Sequence, residues 1–179
     1  MDPPSSSRVC TKLGCPSEQG IVPSIPNHSS EPSLMQIPLK PIIPPVPHGL
    51  VDTDRCFGCG KKNPIGLRLD FTLTGKKQGA VFVASPDYQS YAGFVHGGII
   101  ATVLDEAMGN LVWKLGMKAV TGSFSVKLVK PCLVGKKYKV YGEIVKELPS
   151  KVLTKGTLKD SSGKIVAEAD GIFVRVKNS

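Results

Sequence analysis

From Gly66 onward, Leu67, Leu69, Phe71 and Leu73 alternate with Arg68, Asp70 and Thr72. A period of two is the mark of a half-buried strand. Gly75-Lys-Lys-Gln-Gly79 then reads as a hairpin loop, and residues 80–84 as the returning strand. After a loop containing Pro86 and Gly93 the period changes. Over residues 98–115, Ile100, Leu104, Ala107, Met108, Leu111 and Leu115 recur at helical spacing, and Ile99, Val103 and Trp113 form a second apolar side. A helix apolar nearly all round is expected to be buried. Residues 119–129, 137–147, 151–158 and 165–176 are each β-branched or alternating, and Pro131 to Gly135, Pro149-Ser150 and Asp160 to Gly163 punctuate them. They predict four strands joined by short turns. Strands, one long helix and then a meander predict an α+β fold in which a curved antiparallel sheet wraps the central helix and buries one of its own faces.

The first 48 residues carry no such pattern. Eleven of the 15 prolines lie there, among serines, and the segment reads as a flexible arm that cannot fold alone. Residues 49–179 are the expected folded domain. Within the arm Arg8, Lys12 and Lys40 cancel Asp2, Glu18 and Glu31, so the formal charge of +9 belongs to the folded part. A basic domain suits a polyanionic ligand, an anionic surface or nucleic acid. No helix-turn-helix pattern or aromatic-rich basic strand supports nucleic acid. No apolar run approaches the roughly 18–20 residues that span a bilayer, and neither a secretory signal nor a transit peptide is apparent, so a cytoplasmic protein is expected.

Five cysteines, an odd number, argue against a disulfide framework, and reduced thiols are the default. Cys56-x-x-Cys59 is half of a zinc knuckle, and Cys10 and Cys15 could supply the rest. Their separation by a proline-rich stretch argues against it, and neither metal nor cofactor is expected.

Chemistry concentrates around the helix. His96-Gly97-Gly98 precedes it, where two glycines permit a sharp turn and close approach to backbone amides. The first helical amides lack intrahelical partners and sit at the positive end of the dipole, a natural oxyanion site. Asp105 lies seven residues inside, among small neighbours Gly98, Ala101, Thr102 and Gly109. A buried carboxylate with a raised pKa suits general-base work on water or attack on a carbonyl. Glu106 points about 100° away, toward Thr102, Asn110 and Trp113, and reads as structural. Seven residues of helical rise separate Gly98 from Asp105 by roughly 10 Å. One chain can hardly bring both to one carbonyl, so antiparallel helices across a dimer are expected to share the site.

The stretches Cys56-Phe-Gly-Cys-Gly60, Asn63-Pro-Ile-Gly-Leu67 and His96 to Asp105, with the strand from Thr121 to Pro131, resemble the PaaI-type hotdog-fold acyl-CoA thioesterase family. The resemblance covers about residues 55–176. It implies a hotdog fold, with Asp105 as base or nucleophile, Gly98 as amide donor to the thioester oxygen and His96 orienting the turn or the substrate. Thr121 would position the attacking water, and Asn63 is a candidate donor to the thioester carbonyl. Gly97 would contact substrate, and Lys127, Lys130, Lys136 and Lys137 would meet the phosphates of coenzyme A. An acyl-CoA substrate and a homodimer or dimer of dimers follow. The alternatives are a hydratase or dehydratase with His96 as its acid/base, and an acyl-CoA-binding module without catalysis.

Overall fold

In the computed structural model the described residues are 50–176. The proline-rich arm, with Cys10 and Cys15, lies outside them. The elements follow the expected order: β1 (Thr72–Thr74), β2 (Lys77–Val83), a single 3-10 turn at Pro86–Tyr88, α1 (Gly97–Lys114), β3 (Ala119–Leu128), β4 (Lys137–Glu147), β5 (Lys151–Lys159) and β6 (Ile165–Arg175). The strands form one antiparallel sheet in the order β1-β2-β4-β5-β6-β3. The helix packs on its inner face, the architecture that the apolar pattern predicts.

The seat of the helix is set by missing side chains. Gly142 on β4 lies directly beneath the Ala107 carbonyl of α1, where any Cβ would collide with that group. Opposite Gly142 in the β2–β4 register stands Gln78, buried, whose Nε2 donates to the same carbonyl oxygen at 2.9 Å. Next along the sheet, Gly156 of β5 pairs with Gly142 and leaves room for Leu104, and Gly171 of β6 leaves room for Met108. Around this contact Leu104 and Met108 share one core with Phe82, Val140, Val152, Leu158, Val166 and Phe173, all fully buried or nearly so.

Three expectations change. The alternating stretch 67–71 is not strand, although Leu69 and Phe71 are buried. The Leu67 and Leu69 amides donate to Phe57 and Gly58 carbonyls at 2.8 and 2.9 Å, and Arg68 takes a positive φ of 54°. Backbone pairing with the cysteine loop has replaced pairing with the sheet. The hairpin is tighter than expected, turning at Gly75 with Thr74 opposite Lys77, so Lys77, Gln78 and Gly79 already belong to β2. Finally, α1 is not covered all round. Ala101, Thr102, Asp105, Glu106, Gly109 and Asn110 form a half-exposed stripe that ends at the exposed Trp113. Among the described residues no helix is long and apolar enough to cross a membrane.

Replacing Gly142 by alanine forces the helix off its seat. A loss of about 1–3 kcal/mol is expected from the overpacking, read as a lower denaturant midpoint in urea unfolding.

Candidate active site

His96 is the N-cap of α1, with extended backbone, and its Nδ1 accepts from the Gly98 amide at 2.9 Å. That contact alters the expected oxyanion donor. The Gly98 N–H is engaged by the imidazole and is not free in this conformation. His96 therefore acts on the turn, satisfying one of the amides that a helix start leaves over. Gly97 is half-buried and lines a small hollow of about 250 Å³ together with Phe94, Ile100, Leu128, Lys130 and Cys132.

Two turns further on, the Asp105 Oδ1 accepts from the Thr121 hydroxyl at 2.9 Å. Sequence reasoning proposed both residues separately, and folding brings them together. The means is a bulge in β3. Thr121 stands opposite Phe173 and Ser123 opposite Ile172, so Gly122 is an extra residue in the ladder. A bulge bends a strand and re-aims its side chains. A lone glycine inside a strand pattern was the signal for it.

Burial pushes the Asp105 carboxyl above its usual range, the Glu106 charge adds to the rise, and the Thr121 hydrogen bond opposes it. Asp105 and Thr121 face an open cleft of about 540 Å³, walled by Glu106, Asn110 and Trp113 of the helix, Phe173 of β6, and residues 50–53, Arg55, Cys56 and Cys59. The Asp105 cleft and the Gly97 hollow are separate in one chain and share no residue.

Other expected residues are placed differently. Asn63 spends its amide on its own loop, donating to the Arg55 carbonyl and accepting from the Ile65 amide, both at 3.1 Å, and it lines neither space. It is a turn residue, as Asn-Pro sequences often are. Lys130 borders the Gly97 hollow and lies 3.9 Å from Asp160. Lys127 is exposed on β3, while Lys136, just before β4, and Lys137, its first residue, are also exposed and line neither space. Glu106 has a fuller role than expected: Cys56 Sγ donates to its Oε2 at 3.1 Å, and Gly58 packs on its side chain. Burial, Glu106 and Cys56 all push the Cys59 thiol far up.

Comparisons with known proteins bear on the fold. Residues 92–167 match the family model described as the thioesterase superfamily. An uncharacterised protein of Schizosaccharomyces pombe is 33% identical over 110 residues, which is 56% of this chain and 61% of that protein, so the chain spans under two thirds of this curated relative. Among solved structures, a Streptococcus mutans protein bound to acetyl CoA superposes with a TM-score of 0.58 at 23% identity, covering 62% of this chain and 91% of that one. A hypothetical thioesterase protein of Streptococcus pneumoniae, solved with coenzyme A, gives 0.58 at 21% over 62% and 88%, and was also solved as an aspartate-to-alanine and a threonine-to-alanine mutant. PaaI of Escherichia coli, from the phenylacetic acid degradation operon, gives 0.58 at 15% over 61% and 84%.

The Thr121 bond yields a pH test. An ionised Asp105 is a cost to the folded state, present in full above the raised pKa and gone below the ordinary value of 3.8. Asp105→Asn is therefore expected to unfold at a higher temperature than the parent at neutral pH, with the gap closing as the pH falls, in paired melting curves. Over residues 92–167 the chain is similar to the thioesterase superfamily, and its hotdog fold is the one seen in PaaI.

Proposed function

We propose that the protein hydrolyses an acyl-CoA thioester to a carboxylic acid and coenzyme A, with Asp105 as general base. The observation that carries this reading is a half-buried carboxylate, raised in pKa, fixed through one oxygen by Thr121 and open to a cleft. With Oδ1 held, Oδ2 is left to take a proton from water as that water attacks the thioester carbon. The tetrahedral oxyanion then needs a donor, and the Gly98 amide lies at the start of α1, the positive end of its dipole. For Gly98 this requires the His96 ring to yield its hydrogen bond. Collapse expels the thiolate, which recovers the proton from Asp105. His96, tied to the turn, is poorly disposed to be the acid/base of a hydratase.

Several features support this reading. The aspartate and threonine altered in the S. pneumoniae protein stand sixteen residues apart, as do Asp105 and Thr121. Coenzyme A derivatives accompany two of the similar structures, and they are polyanions of the kind a basic domain attracts. Lys130 beside Gly97, with Lys127 nearby on β3, would meet the phosphates. The separation of the Asp105 cleft from the Gly97 hollow favours a homodimer in which antiparallel helices join one chain's hollow to its partner's cleft. The outer edge of β3, ten residues long with Phe124 and Leu128 exposed, offers a surface for that contact.

Asp105→Asn is expected to lower kcat for thiol release from acyl-CoAs by at least about 100-fold, with sedimentation still showing a dimer. Near-normal turnover, or a fully active monomer, would reject the mechanism. Thr121→Ala removes the bond that lowers the Asp105 pKa, so the acid limb of the pH–rate profile is expected to move to higher pH, while Thr121→Ser restores it.

A further inference from the structure

Cys56, Cys59 and Glu106 are not used by the hydrolysis above. Their two sulfurs and a carboxylate oxygen all lie within 4.8 Å of one another. We propose that they bind a zinc ion at the rim of the Asp105 cleft. This inference is independent of the catalytic reading.

The three donors come from a loop and a helix fifty residues apart in sequence, so chain proximity does not explain their meeting. Among the described residues no lysine, arginine or histidine nitrogen lies within 4.0 Å of the Glu106 carboxylate. A cation is the missing partner. The Cys56 thiol donates to Glu106 Oε2 at 3.1 Å, so a proton holds the place that the ion would take.

The loop is built to present both sulfurs. The Gly60 amide donates to the Cys56 carbonyl at 2.9 Å, and a Cβ at Gly60 would strike the Cys56 backbone, so the Cys-x-x-Cys-Gly turn closes tightly only with glycine there. Gly58 has no side chain to hold the loop off Glu106. The pairing of Phe57 and Gly58 carbonyls with Leu67 and Leu69 amides anchors the loop from behind. From the helix, Asn110 Nδ2 donates to Cys59 Sγ at 3.4 Å, a bond that would steady the thiolate, while its Oδ1 is buried without a partner among the described residues.

The donor set selects the ion. Two thiolates favour zinc over magnesium or calcium, and tetrahedral zinc, at about 2.3 Å from sulfur and about 2.1 Å from oxygen, sets its ligands roughly 3.6–3.8 Å apart. With the donors already within 4.8 Å of one another, a contraction of at most about 1 Å would meet that. Three protein ligands leave the fourth position to the cleft that all three residues line. Binding converts two thiols to thiolates and releases two protons, so affinity must rise with pH.

The test is the metal content of the full chain, purified without added metal and measured by mass spectrometry, with the fold of each variant checked by circular dichroism. About one zinc per chain is expected, falling at least about tenfold in Cys56→Ser/Cys59→Ser and in Glu106→Gln. Cys10→Ser/Cys15→Ser is expected to keep its zinc. Cobalt titrated into the reduced, metal-free chain should give a thiolate-to-cobalt charge-transfer band, lost in the Cys56/Cys59 variant and weakened as the pH falls. Metal-free protein that gives no band with cobalt, or zinc lost with Cys10 and Cys15, would overturn the proposal. None of these readouts depends on turnover, so the zinc site and the hydrolase can fail separately.

Discussion

The structure rests on how closely α1 lies on its sheet. A helix backbone can touch a sheet only where the sheet offers no side chains, and Gly142 provides that opening beneath the Ala107 carbonyl, with Gln78 donating to the same oxygen. Close packing at this point buries Leu104, Met108 and Leu111 on one flank. It also fixes the rotation of the helix about its axis. Asp105 and Glu106, the two residues immediately before Ala107, are thereby turned to the opposite, half-open flank.

That rotation has an electrostatic consequence. Had the helix been wholly covered, two adjacent carboxylates would have been buried without cations, a cost of several kcal/mol each. The half-open stripe leaves each acid a separate solution. Asp105 takes the hydroxyl that the β3 bulge turns toward it, and Glu106 takes the thiol of Cys56. The first arrangement keeps a carboxylate of raised pKa at a cleft. The second gathers three acidic donors with no base among them. The stability lost by exposing the stripe is the condition for either chemistry.

How much of this was legible in the sequence depended on the range of the forces involved. Residues 98–114 form a helix because their apolar spacing suits one, and the four later strands run where β-branched alternation and turn residues set them. The roles read from single residues were less secure. His96 was rightly placed at the turn, but the direction of its ring, which takes up the Gly98 amide, depends on a side-chain torsion that no pattern encodes. Asn63 was a fair candidate as a donor until the loop consumed both ends of its amide.

By itself the sequence determined the order of elements, the antiparallel sheet around one helix, and the placing of an acid on the inner turns of that helix. These follow from local periodicity and from turn chemistry, which act over a few residues. Only the tertiary structure decided that residues 67–71 pair with the cysteine loop instead of the sheet, that a bulge brings Thr121 to Asp105, and that Cys56 and Cys59 converge on Glu106. Each is a contact between segments distant in the chain, which local periodicity and turn chemistry do not encode.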